Sequence, residues 1–255
     1  MENKMKLLLH TCCAPCSVYC IEKLRSEGIE PTVYWYNPNI HPYMEYKARR
    51  DCLKEYTKSI NVNSIFEEDY GLDEFCKNAV KDLSGRCKNY CYPVRLEQTA
   101  KYAKEHGYDT FTTTLLVSPY QNHEALVEVA ECMAKKYDVN FLYRDFRVGF
   151  REGQNRAREL GLYMQKYCGC IFSEEMRYYN RNATKPSFPK GYELPREPRM
   201  QVKKIENKED YIDLKTNIRG IYGRIKGGVF LFGGSIVYLV SPVLLRPFVK
   251  GTGTD

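Results

Sequence analysis

The chain has 255 residues, 43% of them hydrophobic and 28% charged, so it can bury one sizeable core with a smaller appendage and is neither disordered nor fibrous. The early apolar stretch from Leu7 to Leu9 is too short for a secretory signal, which predicts a cytoplasmic protein. In a reducing compartment its 11 cysteines indicate metal or redox chemistry and not a disulfide scaffold. The formal net charge is +7, of which +6 lies in residues 185–255, and such a basic tail favours nucleic acid or an anionic membrane surface.

Strands and helices alternate along the first two thirds of the chain. The predicted strands are residues 6–11, 32–36, 110–114 and 140–143, and the predicted helices are residues 16–26, 43–57, 94–106 and 124–136. An irregular stretch that carries Cys76, Cys87 and Cys91 interrupts the alternation. Because parallel neighbours need helical crossovers, residues 1–184 are predicted to form a doubly wound α/β domain with a mostly parallel sheet.

Ligands of such sheets bind beyond the carboxyl ends of the strands, at a topological switch point. Cys12 and Cys13 follow the first predicted strand, and the loops 37–42 and 118–122 follow two others. These segments are therefore expected to line the ligand site.

The last part of the chain is predicted to be separate. Residues 185–199 contain four prolines and read as a linker, and residues 200–255 form a basic C-terminal module of unknown role. Residues 227–245 are uncharged and long enough to be a marginal membrane span. Gly233 and Gly234 instead predict a two-residue hairpin turn there, so membrane contact through the tail is not expected.

Four cysteines are candidate metal ligands. Cys12 and Cys13 stand where the amides of a following helix stabilise thiolates, and Cys87 and Cys91 share one face of a helical turn. Four thiolates suit a structural zinc or an iron–sulfur cluster, and buried core cysteines are the simpler alternative. Cys16 is close enough to the first pair to ligate a second metal, whereas core packing accounts for Cys20, Cys52, Cys76 and Cys132.

Cys168 and Cys170 are a second type of pair. A disulfide across one residue closes a strained ring and is readily reduced, so these are candidate redox-active thiols; a metal-ligand pair or two unrelated thiols are the alternatives. Just upstream, Arg147, Arg151 and several tyrosines suit a nucleotide held out of its stack, although ion pairing and packing also explain them. His10 is expected to be packed, and His41 and His123 are weak candidates for substrate contact.

Five ordered motifs resemble the QueH-type epoxyqueuosine reductases. They are residues 8–17 (LLHTCCAPCS), 36–42 (YNPNIHP), 86–96 (RCKNYCYPVRL), 112–122 (TTTLLVSPYQN), and 145–147 (DFR) with 167–170 (YCGC). The resemblance covers about residues 6–180. It implies the adenine-nucleotide-α-hydrolase-like (HUP, Rossmann-like) fold and the cobalamin-independent reduction of epoxyqueuosine to queuosine at the wobble position of tRNA.

The resemblance also implies a site. A 4Fe-4S cluster would be bound by Cys12, Cys13, Cys87 and Cys91, a further iron would lie beside it with unassigned ligands, and Cys168 and Cys170 would form the redox disulfide. The partners would be tRNA carrying epoxyqueuosine and an unidentified electron donor. This sequence departs from the family in one respect, since Cys87 and Cys91 are separated by three residues where two are usual.

Two other functions are compatible with the composition. One is an ATP-dependent tRNA-modifying enzyme of the same fold, but residues 12–16 (CCAPC) lack the glycines with which a phosphate loop wraps a pyrophosphate. The other is a non-catalytic zinc protein that binds RNA through its basic tail.

Overall fold

The computed structural model describes residues 5–179, 187–192, 228–232 and 235–239. Its larger sheet has five strands, which are β1 (Leu7–His10), β2 (Pro31–Trp35), β3 (Ser64–Phe66), β4 (Thr110–Thr113) and β5 (Asn140–Phe141). All neighbouring pairs are parallel, in the order β3-β2-β1-β4-β5. The doubly wound α/β fold predicted from the sequence is confirmed.

Helices connect and cover the strands. They are α1 (Ala14–Ser26), α2 (Tyr43–Ser59), α3 (Leu72–Ala79), α4 (Tyr92–Glu105), α5 (His123–Tyr137), α6 (Phe150–Glu159) and α7 (Ile171–Tyr178). From β1 the chain moves to β2 on one side and later to β4 and β5 on the other. Right-handed crossovers in these opposite directions place their helices on opposite faces. Consistent with this, α1 packs against α2 and α6, whereas α4 packs against α5.

The central strand is buried from end to end. Leu7, Leu8 and Leu9 are at most 1% exposed, and each such side chain contributes about 1.5–3 kcal/mol relative to an exposed one. Helix α1 has a proline in its first turn and ends before Gly28, whose φ of 77° suits glycine. The buried core therefore holds β1 and the start of α1 in place, and with them the segment that joins the two elements.

The stretch between α2 and α4 is more regular than the sequence predicts. It contains β3, α3 and a π-helical turn at Cys87–Cys91, where an irregular segment was expected. Strand β3 has three residues at the edge of the sheet, too few to produce an alternating pattern. Helices α6 and α7 were also not predicted.

The chain divides by its internal contacts into Met1–Glu193 and Leu194–Asp255. Part of the expected linker packs on the first unit, because the amide of Ser187 donates to the carbonyl of Pro119 at 2.7 Å. In the second unit, β6 (Gly228–Phe232) and β7 (Ser235–Leu239) pair antiparallel with Phe232 opposite Ser235, which confirms the predicted hairpin. No helix in the described ranges has the length and apolar character needed to cross a membrane. The rest of the predicted linker and module lies outside the described residues, so the division at 185–199 stays a prediction.

Candidate functional site

Three cysteines meet where β1 ends and α1 begins. The sulfur atoms of Cys12, Cys13 and Cys16 all lie within 4.8 Å of one another, and those of Cys12 and Cys13 are 3.8 Å apart. Cys13 has extended backbone angles just before α1, so the chain turns and Cys16 returns near the same point three residues later. All three side chains are buried. Among the described residues, this cysteine triad is the one group of three or more ligand side chains this close together.

Thr114 links the triad to β4 across the switch point of the sheet. Its Oγ1 accepts the amide of Cys12 at 3.3 Å and donates to the Cys12 sulfur at 3.7 Å. Hydrogen bonds from Cys13 and Cys16, and then from Thr114, hold the pKa of Cys12 well below its usual value despite burial. Burial first, and the bond to Cys12 second, raise the pKa of Cys13. Among the three sulfurs of the triad, the one whose negative charge is favoured is therefore that of Cys12.

Cys87 and Cys91 form a second thiol group on the π-helical turn. The amide of Tyr92 donates to the carbonyl of Cys87, the five-residue spacing that defines such a turn. The hydrogen bond with Cys91 lowers the pKa of Cys87 to about 6, assisted by the charges of Arg86 and Arg95. The same bond, together with burial, raises the pKa of Cys91. This pair therefore also consists of one favoured thiolate and one thiol.

The structure brings Cys12 next to Cys13 and Cys87 next to Cys91, but the second pair does not join the triad within 4.8 Å. Arg95 is buried beside the second pair. It is 2% exposed, its Nε donates to the carbonyl of Cys91 at 2.7 Å, and its charge favours the thiolates of Cys87, Cys91 and Cys168. No carboxylate of the described chain is within ion-pair distance of Arg95. Burial of a cation is costly unless negative charge lies nearby, so the position of Arg95 favours negative charge on the surrounding sulfurs.

Backbone hydrogen bonds hold the loop Tyr167–Cys170 in place. Arg49, which is 1% exposed, donates to the carbonyls of Cys168 and Tyr167 at 2.7 and 2.9 Å. The amide of His41 donates to the carbonyl of Gly169 at 2.8 Å, and a Cβ at Gly169 would lie 3.2 Å from Ile40. The loop is thus tied to α2 and to the segment that precedes it.

The two thiols of this loop have different surroundings. Cys170 is 4% exposed and packs with Cys91 and Phe75, whereas Cys168 is exposed. Gln121 donates from Nε2 to the Cys168 sulfur at 3.0 Å. Although one face of Cys168 reaches solvent, surrounding protein atoms displace much of the water and raise its pKa to about 11. The pair therefore has an inner thiol, on the buried residue Cys170, and an outer thiol, on the exposed residue Cys168.

The histidines and Arg147 have distinct roles. His10 is packed as expected, with its ring nitrogens 2.9 Å from Thr113 Oγ1 and 3.2 Å from the carbonyl of Tyr36. His41 is buried between aromatic rings with no hydrogen-bond partner on either ring nitrogen, and burial lowers its pKa to about 4. His123 contacts the Tyr143 hydroxyl at 3.1 Å. Arg147 forms a two-point ion pair with Asp145, which agrees with the ion-pairing alternative.

Sequence reasoning missed three residues of the site. Arg49 and Arg95 are on helices, and no helical pattern marks either side chain as buried, although Arg95 lies within the motif 86–96. Gln121 belongs to the loop expected at the ligand end of β4, and that position was the available signal. Cys16 was noted for its proximity to the Cys12-Cys13 turn, and the structure places it within the triad. Core packing is confirmed for Cys20 but was wrong for Cys76 and Cys132, which are exposed.

Comparison with known proteins gives a consistent result. The sequence profile of the family "Epoxyqueuosine reductase QueH" matches residues 7–176. The chain is 40% identical over 178 residues to the epoxyqueuosine reductase QueH of Dehalococcoides mccartyi, covering 70% of this chain and 97% of that protein. It is 37% identical to the protein of the same name from Thermotoga maritima, covering 66% of this chain and 89% of the relative. Among solved structures, a U34-tRNA thiolase from Methanococcus maripaludis superposes with a TM-score of 0.47 at 16% sequence identity. The superposition covers 71% of this chain and 67% of that one, and the likeness is too distant to bear on function.

Proposed function

The chain belongs to the QueH family of epoxyqueuosine reductases and is an oxidoreductase, and we propose that it reduces epoxyqueuosine to queuosine at the wobble position of tRNA. In this proposal an iron–sulfur site and the dithiol of Cys168 and Cys170 supply the reducing chemistry. The observation that carries it is the grouping of the cysteines about two buried arginines. The charge of Arg49 acts on Cys12 and Cys13, and its guanidinium donates to the carbonyl of Cys168. Arg95 donates to the carbonyl of Cys91, and its charge acts on Cys87 and Cys168.

The residues present fit an iron–sulfur cluster. We propose Cys12, Cys13, Cys87 and Cys91 as the ligands of a 4Fe-4S cluster, with Cys16 available to a further iron. Thiolate-bound clusters are anionic, and the charge of Arg95, which has no carboxylate partner in the described chain, complements such a group. When bound, a cluster of this type transfers electrons, and an adjacent iron polarises an epoxide oxygen as a Lewis acid.

The dithiol matches the stoichiometry of the reaction. Removal of the epoxide oxygen as water, which leaves a double bond in the cyclopentane ring, requires two electrons and two protons. Oxidation of two thiols to one disulfide releases two electrons and two protons. One cycle of Cys168 and Cys170 therefore accounts for one substrate molecule.

This chain's own residues position and shield the thiols. Arg49 fixes the two carbonyls that flank the α-carbon of Cys168 and so limits the motion of the loop. Burial of Cys170 excludes water from the inner sulfur. Burial raises the pKa of Cys168 to about 11, so its sulfur holds one of the protons that the reaction consumes.

The other two functions are less well supported. Pro15 stands in the first turn of α1 and has no amide hydrogen, so the helix offers one donor fewer to a phosphate group. Family membership over residues 7–176 argues against a non-catalytic zinc protein. An electron-donor partner, whose identity the sequence does not give, and the cytoplasmic location stay predictions.

Turnover of tRNA that carries epoxyqueuosine tests the role of the dithiol. Anaerobic protein is mixed with the tRNA, and the nucleosides are quantified by mass spectrometry under single and multiple turnover. Cys168→Ser and Cys170→Ser should each abolish multiple turnover, whereas Cys132→Ser, which changes an exposed cysteine on α5, should not. Full multiple turnover by Cys168→Ser would remove the dithiol from the mechanism.

A further inference from the structure

The outer and inner thiols of the loop Tyr167–Cys170 are not equivalent toward solvent. Cys168 is exposed, whereas Cys170 is 4% exposed and packs with Cys91 and Phe75. A thiolate that reduces a disulfide must reach one of its two sulfurs from outside. In this fold Cys168 offers that approach, and Cys170 faces the side of the π-helical turn.

The side chain of Gln121 contacts the outer sulfur in a fixed orientation. Its Nε2 donates to Cys168 Sγ at 3.0 Å, and its Oε1 accepts the hydroxyl of Tyr92 at 2.7 Å. The Tyr92 oxygen in turn accepts the amide of Asn122 at 3.1 Å, so its own proton is directed to Gln121. This chain of donors determines which end of the amide faces the sulfur, and that end is the N–H donor.

We propose that Cys168 is the sulfur at which an external dithiol reductant recharges the pair, and that Gln121 is a catalytic residue that stabilises the Cys168 thiolate during the exchange. The inference rests on the proposed redox role of Cys168 and Cys170 and adds the chemical class of the electron donor. An N–H donor aimed at a sulfur is worth most when that sulfur is charged.

The exchange balances in two steps. A thiolate of the external dithiol attacks Cys168 Sγ, the bond between Cys168 and Cys170 breaks, and Cys170 leaves as a thiolate that takes up a proton. The mixed disulfide joins Cys168 to the first sulfur of the reductant. The second thiolate of the reductant then attacks that first sulfur, and Cys168 leaves as a thiolate that takes up a proton. The reductant is oxidised to a disulfide, and Gln121 stabilises the Cys168 thiolate in the second step.

Trapping of the mixed disulfide tests which sulfur is attacked. Wild-type protein is oxidised, treated briefly with glutathione as a monothiol probe, quenched with acid and mapped by mass spectrometry. We expect glutathione on Cys168, and glutathione on Cys170 would overturn the inference. If the oxidised protein contains no disulfide between Cys168 and Cys170, the proposed redox function itself fails, and the two failures are therefore distinguishable.

Alkylation of the reduced protein tests Gln121. The rate at which iodoacetamide modifies Cys168 at pH 8 is measured relative to exposed Cys132 in wild type, Gln121→Leu and Tyr92→Phe. Loss of the donor lowers the thiolate fraction about tenfold but increases its intrinsic nucleophilicity, so Gln121→Leu should react about threefold more slowly. Tyr92→Phe, which frees the side-chain amide of Gln121 to rotate and removes the acceptor of the Asn122 amide, should show a smaller decrease. General loosening of the fold would accelerate the alkylation of Cys168, so it cannot produce the slower reaction that we expect. Unchanged or faster alkylation in both variants would contradict the role of Gln121.

Discussion

The guanidinium of Arg49 on α2 donates to the carbonyl of Cys168 at 2.7 Å, although the two residues are 119 positions apart. The same group pairs with Glu45 at 2.7 Å, and both side chains are buried or nearly so. One arginine thus ties the loop that carries both candidate redox thiols to the body of the α/β unit.

Replacement of Arg49 by lysine should loosen this loop. Lysine keeps the charge but cannot reach two carbonyls and a carboxylate in one plane, so we expect a loss of about 1.5–3 kcal/mol in the free energy of unfolding. Urea denaturation measures it. The matched control is Arg25→Lys, whose partner Glu30 is exposed, and this change should cost less than about 1 kcal/mol. Equal losses in the two variants would show that Arg49 does not act as a buried clamp.

Removal of the Cys16 sulfur should reduce metal binding. Its sulfur lies within 4.8 Å of those of Cys12 and Cys13, so it belongs to the ligand environment or adjoins it. Second-sphere and ligand changes typically cost about 10–100-fold in metal affinity. Iron per chain is therefore expected to fall in Cys16→Ala after anaerobic dialysis against a chelator.

Cys20→Ala is the control for that experiment. Cys20 is fully buried on the same helix but lies outside the cysteine triad. Its truncation leaves a small cavity and should lower stability without changing iron content. Equal iron content in Cys16→Ala and wild type would remove Cys16 from the site.

His41 should make stability depend on pH. Its pKa is about 4 in the folded chain and near 6.5 when unfolded, so the unfolded state binds more protons between these values. Stability is therefore present above pH 6.5 and decreases as the pH falls toward 4, by up to about 3 kcal/mol at an order-of-magnitude level. His41→Phe, which suits the contacts with Phe75 and Tyr70, should flatten the dependence of unfolding free energy on pH between 6.5 and 5. Retention of the wild-type slope in His41→Phe would contradict this role of His41.

The fold could be predicted because its signals are local. Leu7 to Leu9, the helix start at Pro15 and the stop at Gly28 each reflect neighbouring residues, and a parallel sheet follows from their alternation. Strand β3 was not predicted because three residues at the edge of the sheet are too few to show an alternating pattern.

The candidate site could be predicted only in part. Cys12 and Cys13 are adjacent in sequence, and Cys87 and Cys91 are one turn apart, so each pair is evident without a structure. The contacts of Arg49 with Cys168 and of Gln121 with the same residue join segments 119 and 47 positions apart. Such contacts depend on tertiary packing, and no single-sequence pattern encodes them.

The proposed iron–sulfur reductase is tested most directly on one anaerobic preparation of the whole chain, analysed for iron, acid-labile sulfide and conversion of epoxyqueuosine in tRNA. We expect iron with sulfide, a broad absorption band at about 400 nm, and queuosine as product, all lost in Cys12→Ala. Zinc without sulfide, or iron with sulfide in a protein that leaves epoxyqueuosine unchanged under reducing conditions, would contradict it.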